Sequence, residues 1–211
     1  MLAAVDALLP LSLLEAVRQA DTPNQEELDA ELVDELRNKR LGLSDTVYAQ
    51  IKRYTDAMRR RQRIGPDEAL ALARLVGRRP DAEEVFRQAG RFLAREAYKT
   101  ISPTLRGMLR GLPSIVARPL ALRRVRSLSA RYLNGQVKRV GSALLLEIDH
   151  SITAGAGPGT SGCLYPDSFL RELLHLLIGS TGSVEHVRCT SRGDARCEWR
   201  ADWMAINRAA A

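Results

Sequence analysis

The chain has 211 residues, 45% of them hydrophobic and 27% charged, so it can form one ample core or a compact domain with a helical extension. Its net charge of +7 permits contact with an anionic surface, but no basic face with interleaved aromatic residues accompanies that charge, and we do not expect nucleic-acid binding. No apolar run reaches the roughly 18 residues that a membrane span requires, and the N-terminus lacks the basic start of a signal peptide. The odd number of cysteines argues against a disulfide scaffold. We therefore expect a cytoplasmic protein.

Residues 1–63 are predicted to be entirely helical. The stripes of apolar residues that indicate three helices are Leu9, Leu13, Leu14 and Val17; Leu28, Leu32, Val33 and Leu36; and Val47, Ile51, Tyr54 and Met58. A capping box at Thr22, Pro23 and Gln25 starts the second helix, which ends near Leu41, and Ser44 caps the third. Because this region is too short and too polar for a large core, we expect it to dock on the rest of the chain or on a second copy in a homodimer.

Four more helices are predicted between residues 64 and 133. They run from Pro66 to Gly77, from a cap at Asp81 to about Tyr98, over a short stretch between the prolines at 103 and 113, and from about Ser114 to Leu133. Asp81 and Glu84 form a capping-box pair for the second of these helices. Its Ala89-Gly90 pair predicts a patch where another backbone can approach closely, and Pro119 predicts a kink or a late start in the last helix.

The pattern changes from helical to alternating at Asn134-Gly135. A hairpin is predicted from Gln136–Val140 and Ala143–His150, followed by a glycine-rich stretch and a helix at Tyr165–Ile178. A last pair of strands, Val184–Ser191 and Ala195–Trp203, is joined by a tight turn at 192–194. This order predicts an α+β fold in which helices pack on an antiparallel sheet.

All three cysteines and one of the three histidines lie in the last quarter of the chain. Cys189 and Cys197 lie on the two arms of the last hairpin, directly opposite each other if the turn has three residues and one step out of register if it has two. Cys163 precedes a helix that could fold back over the sheet, and His186 would be a fourth ligand, as zinc usually requires. In a regular strand His186 would face away from Cys189, so this site requires a bulge or a strand start, with Glu185 as a substitute. The alternative is three buried apolar thiols and a solvent-facing histidine.

Other patterns have simpler interpretations. Residues 155–159 follow a strand as a phosphate loop would, but Pro158 removes an amide donor and no lysine follows, so we interpret them as a flexible connection or lid. The Asp-His-Ser sequence at 149–151 cannot easily converge into a catalytic triad, because adjacent strand residues point to opposite faces. We interpret His175 as a packing residue and the arginines at 118–131 as a solvated surface.

The ending CTSRGDARCEW, which begins at Cys189, separates two cysteines by seven residues that include Gly-Asp and then adds an aromatic residue. Together with Cys163 ahead of a helix and the order of helices, hairpin, helix and hairpin, it makes residues from about Ile64 to Trp203 resemble the 4-vinyl reductase domain family. This small-molecule-binding fold occurs in bacterial proteins of bacteriochlorophyll synthesis and in sensor modules of aromatic-responsive transcription activators. It is distantly related to haem–nitric-oxide sensors and TRAPP vesicle-tethering subunits. The resemblance divides the chain into a helical extension, 1–63, and a ligand-binding domain, 64–211.

The resemblance implies a structural zinc site. In the aromatic-sensing members the same pattern of three cysteines holds zinc, with an acidic residue three positions before the second of the three, which corresponds to Cys189 here. His186 stands in that position here, and histidine is at least as good a zinc ligand. The implied ligand set is Cys163, His186, Cys189 and Cys197.

The resemblance also implies a ligand pocket between the helices and the concave sheet. By position we expect Tyr132, Tyr165 and Phe169 to line it with Leu146 as a wall, although residues of these types are more often plain core. The expected function is a non-catalytic sensor or carrier that binds a hydrophobic or aromatic ligand, with a tetrapyrrole as one candidate. The alternatives are an enzyme or accessory protein in bacteriochlorophyll-type vinyl reduction and a TRAPP-like tethering subunit. Any protein partner would bind through residues 1–63.

Overall fold

The computed structural model describes residues 4–22, 42 and 44–203, and within these ranges the fold is α+β, as the sequence predicts. The helices are α1 Leu8–Asp21, α2 Asp45–Arg59, α3 Pro66–Gly77, α4 Ala82–Lys99, α5 Pro103–Gly111, α6 Ser114–Leu133 and α7 Leu164–Ile178. The strands are β1 Val5–Asp6, β2 Arg63–Ile64, β3 Gln136–Val140, β4 Ala143–Ile148, β5 Val184–Arg188 and β6 Cys197–Asp202. No described helix is long and apolar enough to cross a membrane.

The four-stranded antiparallel sheet has the order β3-β4-β6-β5. The predicted hairpin of β3 and β4 is confirmed, and β4 is a central strand whose residues are almost all buried. The last strands are shorter than predicted: β5 ends at Arg188, β6 begins at Cys197, and a 3₁₀ helix, Thr190–Arg192, occupies part of the connection. Backbone amides of this connection donate hydrogen bonds to the Cys189 carbonyl, so the connection is closed by its own bonds and not by pairing between β5 and β6.

The core lies where α4 and α7 cross above the sheet. Ala89 and Gly90 are buried in this contact, and a Cβ added at Gly90 would collide with the backbone carbonyl of Tyr165. The predicted close approach at Ala89-Gly90 is therefore confirmed, because only a hydrogen on Gly90 leaves room for the backbone of α7. Helix α1 packs on α4, and its leucines belong to the same hydrophobic cluster as the sheet.

The N-terminal region is not entirely helical, which corrects the sequence prediction. Val5–Asp6 forms a two-residue strand that pairs with Arg63–Ile64, and α1 starts right after it at Leu8. Pro10 does not break that helix because it lies in the first turn, where the missing N–H has no intrahelical partner. The Ser44 hydroxyl accepts a hydrogen bond from the Val47 amide, so the predicted cap of α2 is confirmed. The helix predicted up to Leu41 lies outside the described residues, as do Pro23 and Gln25 of its capping box. Thr22 is described, and its hydroxyl donates a hydrogen bond of 2.7 Å to the Arg18 carbonyl at the end of α1.

Three details of the middle helices differ from expectation. Asp81 stands at the N-cap of α4 but makes no capping hydrogen bond, because its carboxylate binds the Arg79 guanidinium. Helix α6 begins at Ser114 and includes Pro119, so the late start is wrong. His175 is exposed in the last turn of α7, which corrects its interpretation as a packing residue; the leucines of α7 face the core instead, and the helix C-terminus is favourable for an imidazole.

Candidate metal centre

Three buried thiols meet where the last hairpin contacts the start of α7. Cys163 closes a 3₁₀ helix, Ser161–Cys163, and stands directly before α7. Cys189 follows β5 and Cys197 is the first residue of β6. The Sγ atoms of Cys163 and Cys189 lie 3.6 Å apart, although 26 residues separate them in the sequence. Only the folded chain brings these thiols together.

His186 joins the thiols through an irregularity in β5. The register of β5 against β6 shifts between His186 and Arg188, so one extra residue is accommodated there. His186 lies opposite Trp199, and Cys197 lies two residues before Trp199 and therefore on the same face of the sheet. The extra residue brings Cys189, three positions after His186, to that face as well. This is the geometry that a ligand set of His186 and Cys189 requires.

The four side chains form a Cys3His cluster that could hold a metal ion. One ligand atom from each of Cys163, His186, Cys189 and Cys197 lies within 4.8 Å of every other. With Zn–S bonds of about 2.3 Å, the edge between two sulfurs of a tetrahedral site is about 3.8 Å, close to the 3.6 Å observed. A disulfide would require about 2.05 Å, so the thiols are free.

The imidazole of His186 is held by a stacking contact. Its ring lies 4.8 Å from the Trp199 ring, with an interplanar angle of 10°. Its buried Nε2 has no hydrogen-bond partner. A buried polar nitrogen without a partner is costly, and a metal ion close to the ring would relieve that cost.

Backbone and hydroxyl donors surround the Cys197 sulfur. The Thr190 amide donates to Cys197 Sγ at 3.4 Å, and the Thr190 hydroxyl lies 3.3 Å from the same atom. Asp194 accepts a hydrogen bond of 2.7 Å from the Cys189 amide, which fixes the turn between the two cysteines. Gly193 adopts a φ of 94°, a conformation that glycine tolerates without strain.

The thiols of Cys163 and Cys197 have different proton affinities. Hydrogen bonding from Cys163 and from Thr190 lowers the pKa of Cys197, because these donors stabilise the thiolate. Sharing that hydrogen bond raises the pKa of Cys163, and burial raises it further. Of these two thiols Cys197 is thus the one that ionises first, and a metal cation would displace the proton that Cys163 contributes.

The four residues expected around a ligand pocket lie in different surroundings. Leu146 faces Trp199 in the sheet, and Phe169 is fully buried in α7. The Tyr165 hydroxyl lies 2.8 Å from the Ser12 hydroxyl and borders a gap of only about 10 Å³. Tyr132 borders an open cleft of about 540 Å³ between α1, α2, α4 and α6, away from the other three.

Sequence reasoning missed three residues that shape the metal centre. Trp199 orients the imidazole, Thr190 donates to Cys197, and Asp194 holds the Cys189 amide. A partial signal was present: Asp194 follows the turn glycine, where an aspartate often accepts a backbone hydrogen bond. The stacking of Trp199 carries no local signal, since it depends on the pairing of β5 with β6.

A scan of the chain against protein-family models finds no matching family, and a search of curated proteins finds no matching relative. The fold and the site together define an α+β domain with a Cys3His cluster that could hold a metal ion.

Proposed function

We propose that the chain is a non-catalytic binding domain of the 4-vinyl reductase type, stabilised by a structural zinc ion on Cys163, His186, Cys189 and Cys197. The observation that carries the zinc proposal is the convergence of these four ligand atoms within 4.8 Å. The proposed kinship rests on the spacing of the same cysteines and on the order of the helices and hairpins.

The donor set favours zinc over other metals. Three thiolates and one imidazole are soft to borderline ligands, which calcium and magnesium do not select. Zinc has no geometric preference from its d electrons and accepts a tetrahedral Cys3His set.

The proposed role of the metal is structural. Four protein ligands fill a tetrahedral coordination shell and leave no position for a substrate or a reactive water. All three cysteines are buried, which also favours a closed site. The metal would tie the exposed turn at 190–195 to the start of α7, because Cys163 and Cys189 come from these two elements.

The proposed ligand is a small hydrophobic or aromatic molecule, which the domain would sense or carry. The cleft of about 540 Å³ beside Tyr132 supports this role, because its volume is typical of small-molecule pockets. Apolar residues, among them Ile101 and Leu128, form its buried side, and charged residues line the rest of the cleft, so a ligand there would combine an apolar body with a polar group.

A second candidate, a structural tethering subunit, is favoured by the packing between the helices and the sheet. Leu146, Tyr165 and Phe169 are all buried there, and the gap beside Tyr165 is too small for any organic ligand. In such a domain the pocket between the helices and the sheet is filled by side chains, and the functional contacts are made with other proteins at the surface.

Elemental analysis of the purified protein tests the zinc site. We expect about one zinc per chain, lost in Cys197→Ser and retained in His150→Asn, a matched control in which an exposed histidine outside the cluster is changed. Equal zinc content in the parent and in Cys197→Ser would remove the site.

Ligand binding is tested separately, on the zinc-loaded protein. A library of hydrophobic and aromatic compounds is screened by thermal shift, since a ligand of the native state raises the unfolding midpoint. Absorbance of the protein as isolated would reveal a tetrapyrrole. A protein that contains zinc but responds to no compound would favour the tethering subunit.

A further inference from the structure

Charge is unevenly distributed along this chain. Residues 97–146 contain ten lysines and arginines and no aspartate or glutamate. The whole chain has 32 basic and 25 acidic residues, so the other residues together carry 22 basic side chains against all 25 acidic ones. The basic character of the protein therefore comes from α5, α6, β3 and the residues that join them.

The acidic residues that border this segment are both neutralised. Glu96 lies 2.6 Å from the Lys99 ammonium. Glu147 lies 2.6 Å from Lys138 and 3.5 Å from Arg196. These pairs also neutralise Lys99 and Lys138 of the segment, and Asp6 lies 3.1 Å from Arg131. Among the described residues no ion pair involves Arg106, Arg110 or Arg123, so the charge that remains uncompensated includes that of these arginines.

Exposed apolar side chains cluster at one corner of the same segment. Met108 in α5 is 49% exposed, and Ile115 and Val116 in the first turn of α6 are 83% and 48% exposed. Only two residues, Leu112 and Pro113, connect the two helices, so these side chains share the corner that we call the α5–α6 tip. Seven large hydrophobic residues are exposed among those described, and three of them lie within these nine positions. Such a cluster is typical of an interaction surface.

Arginines flank the α5–α6 tip. The guanidinium groups of Arg106 and Arg110 stand over the Tyr98 ring, at 5.4 and 5.9 Å from its centroid. This contact holds both charges on one face of α5, at the end of α4, whereas Met108 lies two residues from each arginine and points to another face of the helix. Arg123, two turns further along α6, is also exposed.

We propose that the α5–α6 tip docks on an anionic lipid membrane. Ile115, Val116 and Met108 would enter the boundary between headgroups and acyl chains, and Arg106, Arg110 and Arg123 would contact the lipid phosphates and carboxylates. Peripheral membrane proteins combine a small apolar insertion with basic residues in this way. The chain would lie on the membrane and not span it.

The charge of the segment distinguishes this occupant from others. A second copy of the chain would bring two tips that both carry arginines together, and like charges across an interface are unfavourable. The phosphates of a nucleic acid could bind the arginines. A nucleic acid has no apolar interior, however, into which Ile115, the most exposed of the three apolar side chains, could insert.

Vesicle sedimentation with the full zinc-loaded chain tests the proposal. We expect binding to vesicles of phosphatidylcholine with phosphatidylserine, little binding to phosphatidylcholine alone, and weaker binding at high salt. Ile115→Ser with Val116→Ser should lower the vesicle affinity about tenfold or more, because two apolar side chains no longer enter the bilayer. Arg110→Glu with Arg123→Glu should lower it by a similar factor.

Matched controls change the same residue types elsewhere on the surface. Tyr48→Ser with Leu75→Ser removes two exposed hydrophobic residues, and Arg74→Glu with Arg78→Glu reverses two exposed charges. Both controls should bind vesicles like the parent, and circular dichroism and thermal unfolding should show all variants folded. The proposal is overturned if the parent binds neither vesicle, if it binds both equally, or if the tip variants bind as tightly as the parent. It is also overturned if the parent prefers DNA or RNA to vesicles with an affinity that the Ile115 and Val116 changes leave intact.

Discussion

The crossing of α4 and α7 and the hairpin of β5 and β6 are held together by different physical means. In the crossing, Gly90, Phe169 and their neighbours are buried, and backbone and side chains pack without space for an added methyl group. In the hairpin, residues 190–195 are all exposed, and the turn is anchored by the buried sulfurs of Cys189 and Cys197. The crossing is stabilised by area removed from water, whereas the hairpin turn has almost no apolar area to bury.

The turn at 190–195 is therefore ordered by its hydrogen bonds to Cys189 and Asp194 and by whatever binds the sulfurs beneath it, and not by burial of apolar area. Ordering each residue costs about 1–2 kcal/mol of backbone entropy, which the exposed side chains of the turn cannot offset. Coordination of a metal by residues from two elements can offset that cost. We therefore expect metal removal to change mainly the hairpin turn and packing mutations to change mainly the crossing of α4 and α7.

The largest expected effect is that of removing the proposed zinc ion. Chelation, or Cys197→Ser, should release the hairpin turn while the crossing of α4 and α7 stays folded, because buried packing stabilises the crossing and the cluster uses only Cys163 from its edge, just before α7. Hydrogen exchange of the amides at 189–197 should accelerate strongly, with much smaller changes at 85–98 and 168–177. An equal acceleration of hydrogen exchange in both regions would contradict the expectation that only the hairpin turn depends on the metal.

The next effect is expected from Gly90→Ala in the crossing. The added methyl group would collide with the Tyr165 carbonyl, so α4 and α7 must move apart, and we expect a loss of about 1–3 kcal/mol in the free energy of unfolding. Zinc content should not change. Chemical denaturation measures the loss.

Gly107→Ala is the matched control for that variant. Gly107 lies within α5 with no atom near its added Cβ, so alanine should be neutral or stabilising by up to about 1 kcal/mol. Equal destabilisation by the two variants would show that close packing at Gly90 is not the cause.

His186→Asn should weaken the metal centre without abolishing the fold. Three sulfurs remain, so some zinc binding persists, but we expect a loss of at least roughly 10- to 100-fold in affinity, the range that changing an outer-shell partner already causes, measured by competition with a chromophoric chelator. His175→Asn, which changes the exposed histidine of α7, should have no effect on affinity. If the two variants bind zinc equally well, the imidazole of His186 is not a ligand.

The smallest expected effect is a pH dependence of stability that comes from Asp81, which belongs neither to the close contact of α4 with α7 nor to the hairpin. The Arg79 guanidinium lowers the pKa of Asp81, so the unfolded chain takes up a proton at higher pH than the folded chain does. This contribution to stability is present above the ordinary aspartate pKa of about 4 and is lost as the pH falls through the lowered value. Because the Asp81 side chain is 41% exposed, we expect less than about 1 kcal/mol.

Denaturation of Asp81→Asn and of the parent at several pH values checks this prediction. The difference in stability between them should shrink as the pH falls below about 4. Asp149→Asn, a change at an exposed aspartate of the β4 end, serves as the comparison. A difference between Asp81→Asn and the parent that does not vary with pH would exclude the ion pair as its source.

Local sequence signals predicted most of the helices and the first hairpin. Ser44, Pro66 and the Asn134-Gly135 pair mark element boundaries because caps, prolines and glycines act on the backbone within a few residues. The prediction failed at Val5–Asp6, since a two-residue strand exists only through its pairing with Arg63–Ile64, far along the chain. It failed at His175 because the leucine-rich surroundings did not reveal which side of α7 the core occupies.

By itself, the sequence determined the α+β order of elements and the four residue types from which a zinc site could be built. It could not decide whether those residues meet. The tertiary structure decided that: the bulge after His186 and the placement of Cys163 at the start of α7 bring atoms 26 residues apart to 3.6 Å. Local signals act over a few residues, whereas a metal centre depends on strand register and helix packing, which only the whole folded chain fixes.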